Sequence, residues 1–356
     1  MKNSRSFLAI IIFLSLLPLH ASEKNNNQSP DDDFVSFFEK VVIEELPPAD
    51  DYYIDDSPLN QILKLFDEED YERQKRFLEQ KKKKVIMEAG EIAIPNEKYA
   101  QDKIQDFIAR YMTNFGKQNL YRILDKGESY RLYIRKELKK RGMPAALEYL
   151  PLVESEYTPT AKSRSGARGL WQFMENSMSP FLKKNEWIDE RLDPWKSTQA
   201  ALSKLQDNYR VFKDWTLAIG AYNCGAGAMR RALKKAKKQN FWYLAENKLI
   251  PDETINYLPK LLAIAEITEH SGEYNLLLPD CQDFPFSGDF DYVSVKAQIS
   301  LEAIAGELRL DYEKLSSLNS ELLHAKTPPA QEYRIRFPAG LGPSAAGAIK
   351  EILTNK

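Results

Sequence analysis

Histidine and cysteine are scarce in this chain. Its 356 residues include three histidines and two cysteines, too few and too scattered for a zinc site or a histidine-activated nucleophile. His20 lies in an apolar N-terminal run, and His270 and His324 stand apart from any carboxylate or thiol cluster. Neither a metal nor a cofactor is expected. Cys224 and Cys281 either pair in an oxidising compartment or stay as shielded thiols. Charge of one sign is also lacking. The net charge of -2 provides no broad basic field, so nucleic acid is not an expected partner. Apart from one N-terminal run, no segment approaches the ~20 apolar residues that a membrane-crossing helix needs.

That run spans Phe7 to Leu19, follows Lys2 and Arg5, is broken by Pro18 and leads to Ala21. It reads as a signal peptide over residues 1–21, with an uncleaved anchor as the alternative. Residues 22–90 form an acidic segment with Asn25-Asn26-Asn27, Asp31-Asp32-Asp33, Pro47-Pro48 and Lys81 to Lys84, and much of it is expected to be linker. Two helices are expected within it. One starts at Ser57-Pro58 and carries Leu59, Ile62, Leu63 and Phe66; the other is a mostly solvated helix over 70–84.

From Pro95 the punctuation becomes regularly helical. Asn96 is the expected cap of a helix bearing Ile104, Phe107, Ile108 and Tyr111, and a helix from Ser129 to Arg141 ends at Gly142. Pro144 opens another, which delivers Glu154 near its end. Helices follow over Ser197–Phe212, Thr216–Tyr222, Ala226–Lys238 and Thr254–His270, making the fold class mainly α. Residues 280–288 read as a linker. Beyond them the order is strand, helix, helix, strand: Tyr292–Val295, Leu301–Leu308, Tyr312–Asn319 and Tyr333–Pro338.

The stretch from Leu150-Pro151-Leu152-Val153-Glu154-Ser155 to Gly169-Leu170-Trp171-Gln172-Phe173-Met174 resembles the lytic transglycosylases, particularly the D type. The resemblance continues through Ala161-Lys162-Ser163, Gly166-Ala167, Trp215-Thr216-Leu217-Ala218, Ala221-Tyr222-Asn223-Cys224-Gly225-Ala226-Gly227, Pro251-Asp252-Glu253-Thr254 and Tyr257-Leu258-Pro259-Lys260-Leu261. Each motif is weak alone; their common order and spacing carry the match. The resemblance implies a goose-type lysozyme-like catalytic domain over residues 91–279 and an exported, periplasmic protein. Its partner would be peptidoglycan glycan strands, with association to membrane or cell wall. Residues 289–340 resemble a small α/β LysM-like module that binds glycan, although Ala297-Gln298-Ile299-Ser300 replaces the usual Gly-Asp-Thr or Gly-Asp-Ser.

Cleaving a glycosidic bond requires a proton on the leaving oxygen while positive charge builds on the sugar, so the acid must stay protonated near neutral pH. Burial does this by disfavouring the charged form. Glu154 follows Tyr149, Leu150, Leu152 and Val153, and the resemblance makes it the general acid and then the base. No second carboxylate stands out: Glu156 should face another side, and capping is the expected role of Asp252. A single acid/base suits the route that the resemblance implies. There the bond between N-acetylmuramic acid and N-acetylglucosamine breaks and the muramic 6-hydroxyl closes a 1,6-anhydro ring. Hydrolysis by water, as in a muramidase, and a catalytically silent wall-binding protein are the alternatives. Ser163, Gly169, Gln172, Met174, Tyr222 and Asn223 are the expected substrate-binding residues, with Ser155, Glu253 and Tyr257 in support. Trp171 and Phe173 suit the core better than the cleft. Met174 could serve either, and Tyr222 and Asn223 could instead be ordinary buried hydrogen-bonding groups. Glu175-Asn176-Ser177-Met178 departs from the family's Pro-Ser-Thr-Gly, and Cys224 stands for a small residue.

Overall fold

Helix α1 (Lys98–Met112) carries Ala100, Ile104, Ile108 and Met112 at helical spacing, buried as one stripe. The computed structural model describes residues 68, 70–79, 84–276, 278 and 289–354, all within one compact unit, Tyr53–Lys356. The expected signal segment, the helix at Ser57-Pro58, the linker 280–288 and Cys281 lie outside the described residues. Residues 70–79 are helical and fasten onto α1, since Tyr71 is buried and its hydroxyl donates to Asp106 at 2.6 Å. Asn96 does not cap α1. Glu97 holds the cap position without a side-chain bond.

A two-stranded hairpin, β1 (Glu88–Ala89) and β2 (Ile92–Ala93), precedes α1. After it come α2 (Asn114–Lys126) and α3 (Glu128–Arg141), the latter closed by Gly142 in the left-handed region at φ 59°. A 3-10 turn, Ala145–Tyr149, then leads into the short α4 (Leu150–Ser155). Helix α4 stops because Glu156 and Tyr157 both take positive φ, 50° and 53°. Glu154 is therefore presented in a final helical turn. The turn before it is anchored by Glu148, which is buried and accepts from Arg131 Nε at 2.9 Å and Arg135 Nε at 2.7 Å. Its carbonyl also accepts from the buried Tyr157 hydroxyl at 2.8 Å.

The remaining helices are α5 (Pro194–Phe212), α6 (Trp215–Cys224), α7 (Ala226–Lys235), α8 (Phe241–Glu246) and α9 (Asp252–Glu269). Asp193, Asp214 and Asn240 cap α5, α6 and α8 through backbone N–H groups. Asp252 is not a cap: Pro251 holds that position and Asp252 lies in the first turn, where a negative charge suits the helix dipole. Helix α9 is buried from Thr254 to Ile267 apart from Asn256 and Lys260, and packs against α1, α4, α6 and β1.

The C-terminal part has its own core of Ile299, Leu301, Ile304, Leu315, Ile335, Phe337, Ala345 and Ile349. Strands β3 (Phe290–Val295) and β4 (Tyr333–Pro338) pair antiparallel, from Phe290 opposite Pro338 to Val295 opposite Tyr333. Between them lie α10 (Leu301–Leu308) and α11 (Tyr312–Leu318). An unexpected helix, α12 (Gly342–Thr354), packs on both strands and α10. Thr327 ties the two connecting loops together, its hydroxyl donating to Ala297 O at 2.7 Å and accepting from Ile299 N at 2.9 Å.

Removing one partner of a buried ion pair leaves uncompensated charge. Glu148→Ala should therefore destabilise the fold by about 3 kcal/mol or more, read as a lower denaturant midpoint. A loss within ~0.5 kcal/mol, the range of ordinary surface substitutions, would show that Glu148 does not anchor α4.

Candidate active site

Glu154 projects from the last turn of α4 toward α9, where the hydroxyl of buried Tyr257 donates to its Oε1 in a short hydrogen bond. Burial dominates its titration and pushes its carboxyl up to about 7, opposed by that hydrogen bond and reinforced by the charge of Glu253. Lys204 and Lys260 pull the other way by favouring the carboxylate. Ser155 fixes the neighbouring segment: its hydroxyl lies 2.8 Å from Leu170 O and 3.2 Å from Pro151 O. Glu156 turns away, as anticipated, to Arg122 at 3.1 Å.

The loop 161–173 forms the adjoining wall. Arg168 and Phe173 exchange both backbone hydrogen bonds at 3.1 Å, and Ser163 Oγ accepts from Ala167 N at 3.0 Å, so Ser163 closes this loop. Gln172, at φ 46°, donates from Nε2 to Gly169 O at 2.9 Å and Ala161 O at 3.3 Å. Gly169 is buried at φ 84°, and an added Cβ would lie 1.8 Å from Arg191 O. Its lack of a side chain thus serves the packing of two backbone segments. Trp171 and Phe173 are core residues, the Trp171 indole donating to Thr198 Oγ1 at 2.9 Å. Met174 is exposed at the end of the loop.

Tyr222 and Asn223 both have protein partners. The Tyr222 hydroxyl donates to Trp171 O at 2.9 Å. Asn223 accepts from Thr254 Oγ1 at 2.6 Å and donates to Glu253 Oε1 at 2.8 Å, joining the end of α6 to the first turn of α9. Cys224 beside it is a half-buried free thiol.

Two contributors escaped the sequence reading. Lys204 Nζ lies 4.9 Å from the Tyr222 ring centroid, 5.2 Å from that of Phe173 and 3.3 Å from Ser177 Oγ. Burial lowers its pKa while Glu154 opposes that effect. Its signal was present: position 204 falls on the inward stripe of α5 with Ala200, Ala201 and Asn208. The other is Arg191, whose buried guanidinium pairs with Asp189 at 2.7 and 2.9 Å and reaches Gly166 O and Phe173 O at 3.3 Å. The site as a whole holds one carboxyl that keeps its proton near neutrality, with a rigid wall beside it.

An acid whose folded pKa is raised holds an extra proton relative to the unfolded chain between its unfolded and folded values. Stability is therefore lost as pH rises through that interval, here from about 4.5 to about 7. Glu154→Gln, which cannot ionise, should melt higher than the parent protein at pH 8 and level with it near pH 4. Equal melting temperatures at pH 8 would mean that Glu154 ionises freely.

Residues 131–245 match the Transglycosylase SLT domain, and residues 289–351 match the LysM-like domain described as Lytic transglycosylase MltD, LysM-like domain. Membrane-bound lytic murein transglycosylase D of Escherichia coli (strain K12) is 32% identical over 225 residues, covering 62% of this chain and 48% of the relative. The protein of the same name from Escherichia coli O6:H1 (strain CFT073) matches to the same extent. The chain spans about half the length of these curated relatives. A solved structure of an inactive mutant of Lytic Transglycosylase Slt from Pseudomonas aeruginosa is a slight likeness, with a TM-score of 0.37 and 20% identity over 52% of this chain and 34% of that one. The chain thus matches a Transglycosylase SLT domain over residues 131–245 and a LysM-like domain over residues 289–351, and is similar to membrane-bound lytic murein transglycosylase D.

Proposed function

We propose that this protein is a peptidoglycan lytic transglycosylase with Glu154 as its single acid/base. The observation that carries the reading is the half-buried carboxyl of Glu154, raised to about 7 and oriented by Tyr257. Glu154 gives its proton to the glycosidic oxygen between N-acetylmuramic acid and N-acetylglucosamine, and that C–O bond breaks as positive charge builds at the muramic anomeric carbon. The resulting carboxylate then takes the proton of the muramic 6-hydroxyl, whose oxygen bonds the anomeric carbon and closes the 1,6-anhydro ring. Held in the same sugar, that hydroxyl has an effective-concentration advantage over water.

Ser163, Gly169, Gln172, Met174, Tyr222 and Asn223 act here chiefly as the frame of the glycan cleft, and Met174 is the apolar member that offers a free surface. Asn223 and Glu253 brace the cleft end of α6. Tyr257 and Ser155 fix the orientation and position of Glu154. The natural setting of such an enzyme is the cell envelope, as in the membrane-bound relatives; among the described residues no helix is long and apolar enough to cross a membrane.

Glu154→Gln should lower turnover on purified glycan strands by at least ~10²-fold while leaving strand binding largely intact, and near-normal turnover would exclude Glu154 as the acid. Mass spectrometry of wild-type products should find anhydro ends, lighter than hydrolysed fragments by one water. Mainly reducing-end muramic acid would instead establish a muramidase, and intact strands a wall-binding protein. The active form is protonated, so the rate should fall as pH rises through about 7. Lys204→Met removes a cation that favours the carboxylate, so this falling limb should move to higher pH; a limb that moves down or stays would remove Lys204 from the site.

A further inference from the structure

Arg336 breaks the pattern of its own strand. In β4, Tyr333, Ile335 and Phe337 face the C-terminal core and Arg334 is exposed, yet Arg336, on the same alternate face as Arg334, is buried. The cover comes from the catalytic part of the chain. Arg336 Nη2 pairs with Asp193 Oδ2 at 2.7 Å, and its guanidinium lies 4.9 Å from the Trp195 ring, which meets Phe290 edge-on at 4.7 Å. Asp193 is fully buried, and its other oxygen caps α5 through Trp195 N and Lys196 N, both at 2.9 Å.

The loop after α11 extends this contact along the backbone. Asp189 N donates to Glu321 O at 2.9 Å, Leu323 N to Trp187 O at 3.0 Å, and Ser320 Oγ to Leu192 O at 2.7 Å, while Ile188 pairs with Leu322. Residues 187–193 are thereby held as an added strand-like edge of the C-terminal module. The same residues hold the cleft wall: Arg191 reaches Gly166 O and Phe173 O, and its carbonyl is the atom that Gly169 packs against. The wall in turn meets the acid through Ser155 and Leu170 O.

The ions in this contact are not ideally matched. Glu321 Oε2 and Arg336 Nε have no hydrogen-bond partner among the described residues, although Glu321 and Arg336 are both buried. Such a cluster adds little net stability over an apolar one, but it accepts only one geometry. That suits fixing a position better than adding strength.

We propose that the LysM-like module is a clamp on the catalytic cleft, and that Arg336, acting through Asp193 and residues 187–192, is a positioning residue for the wall 161–173. The inference rests on the glycan-cleaving reading above for its kinetic consequence, but not for its structural one. In the full chain, Arg336→Met should speed backbone amide exchange over Gly166–Phe173 by about 10-fold, since a local opening is made easier. It should also lower kcat on soluble glycan strands by roughly 10- to 100-fold, the scale of a modest misplacement. Soluble strands remove any contribution from attachment to insoluble wall. Circular dichroism at the assay temperature confirms that the variant is folded. If Arg336→Met does not fold, Ser320→Ala deletes the single bond to Leu192 O and should shift both readouts in the same direction by a smaller amount. Unchanged exchange or unchanged kcat in the folded variant overturns the clamp. Were wild-type products hydrolysed rather than anhydro, the proposed reaction would fall while the exchange difference still stood.

Discussion

A carboxyl kept where it ionises reluctantly is the constraint to which this structure answers. Desolvation of Glu154 costs stability at neutral pH, so the surrounding protein must hold the group there against its preference for water. The surroundings are arranged accordingly. Tyr257 donates to the carboxyl from the buried middle of α9, and Glu148 ties down the turn before α4 with two arginines. Positive φ at two successive residues ends α4 at once, so Glu154 cannot slide into a longer, more solvated helix. The Tyr257 hydrogen bond opposes the effect of burial most strongly, and Lys204 and Lys260 add smaller pulls toward the carboxylate.

Much of this arrangement was legible in the sequence. Glu154, Ser155, Tyr257 and the wall residues stand out because the chain repeats an ordered set of short motifs, and the helix end at Gly142 follows from local backbone chemistry. Failures occurred where local signals were weak or competed. Asn96 is an excellent cap in isolation, but the helix starts one residue later and leaves it outside. Helix α8 is only Phe241–Glu246, too short for a period to emerge. Helix α12 presents small residues, Ala345 and Ala348, where a reader looks for leucine.

The site's partners were harder because they depend on which surface meets which. Gly169 was expected to admit a sugar, and its neighbour is in fact Arg191 O. Tyr222 and Asn223 were left between cleft and core, and in the structure both spend hydrogen bonds on the protein itself. Lys204 could have been noticed, since a lysine on the inward stripe of a helix implies a polar cavity opposite. Arg336 could not. The strand alternation assigns it to solvent, and only the approach of Asp193 from 143 residues away reverses that assignment.

That reversal ties the C-terminal module to the stretch 187–193 beside the wall of Glu154. A catalyst with paired carboxylates can divide its work between them, whereas one acid/base must meet a leaving oxygen first and an attacking hydroxyl second without leaving its place. On the proposed single acid/base route, tolerance for displacement is therefore small, and the wall beside Glu154 must be as firmly fixed as the acid. Within the catalytic part, the wall leans on residues 187–193, a stretch with one 3-10 turn and no long helix or sheet of its own. Irregular backbone of this kind needs external hydrogen-bond partners, and the loop at 320–323 supplies them. On the proposed reading, a module that fixes the wall in this way also fixes its own orientation relative to Glu154.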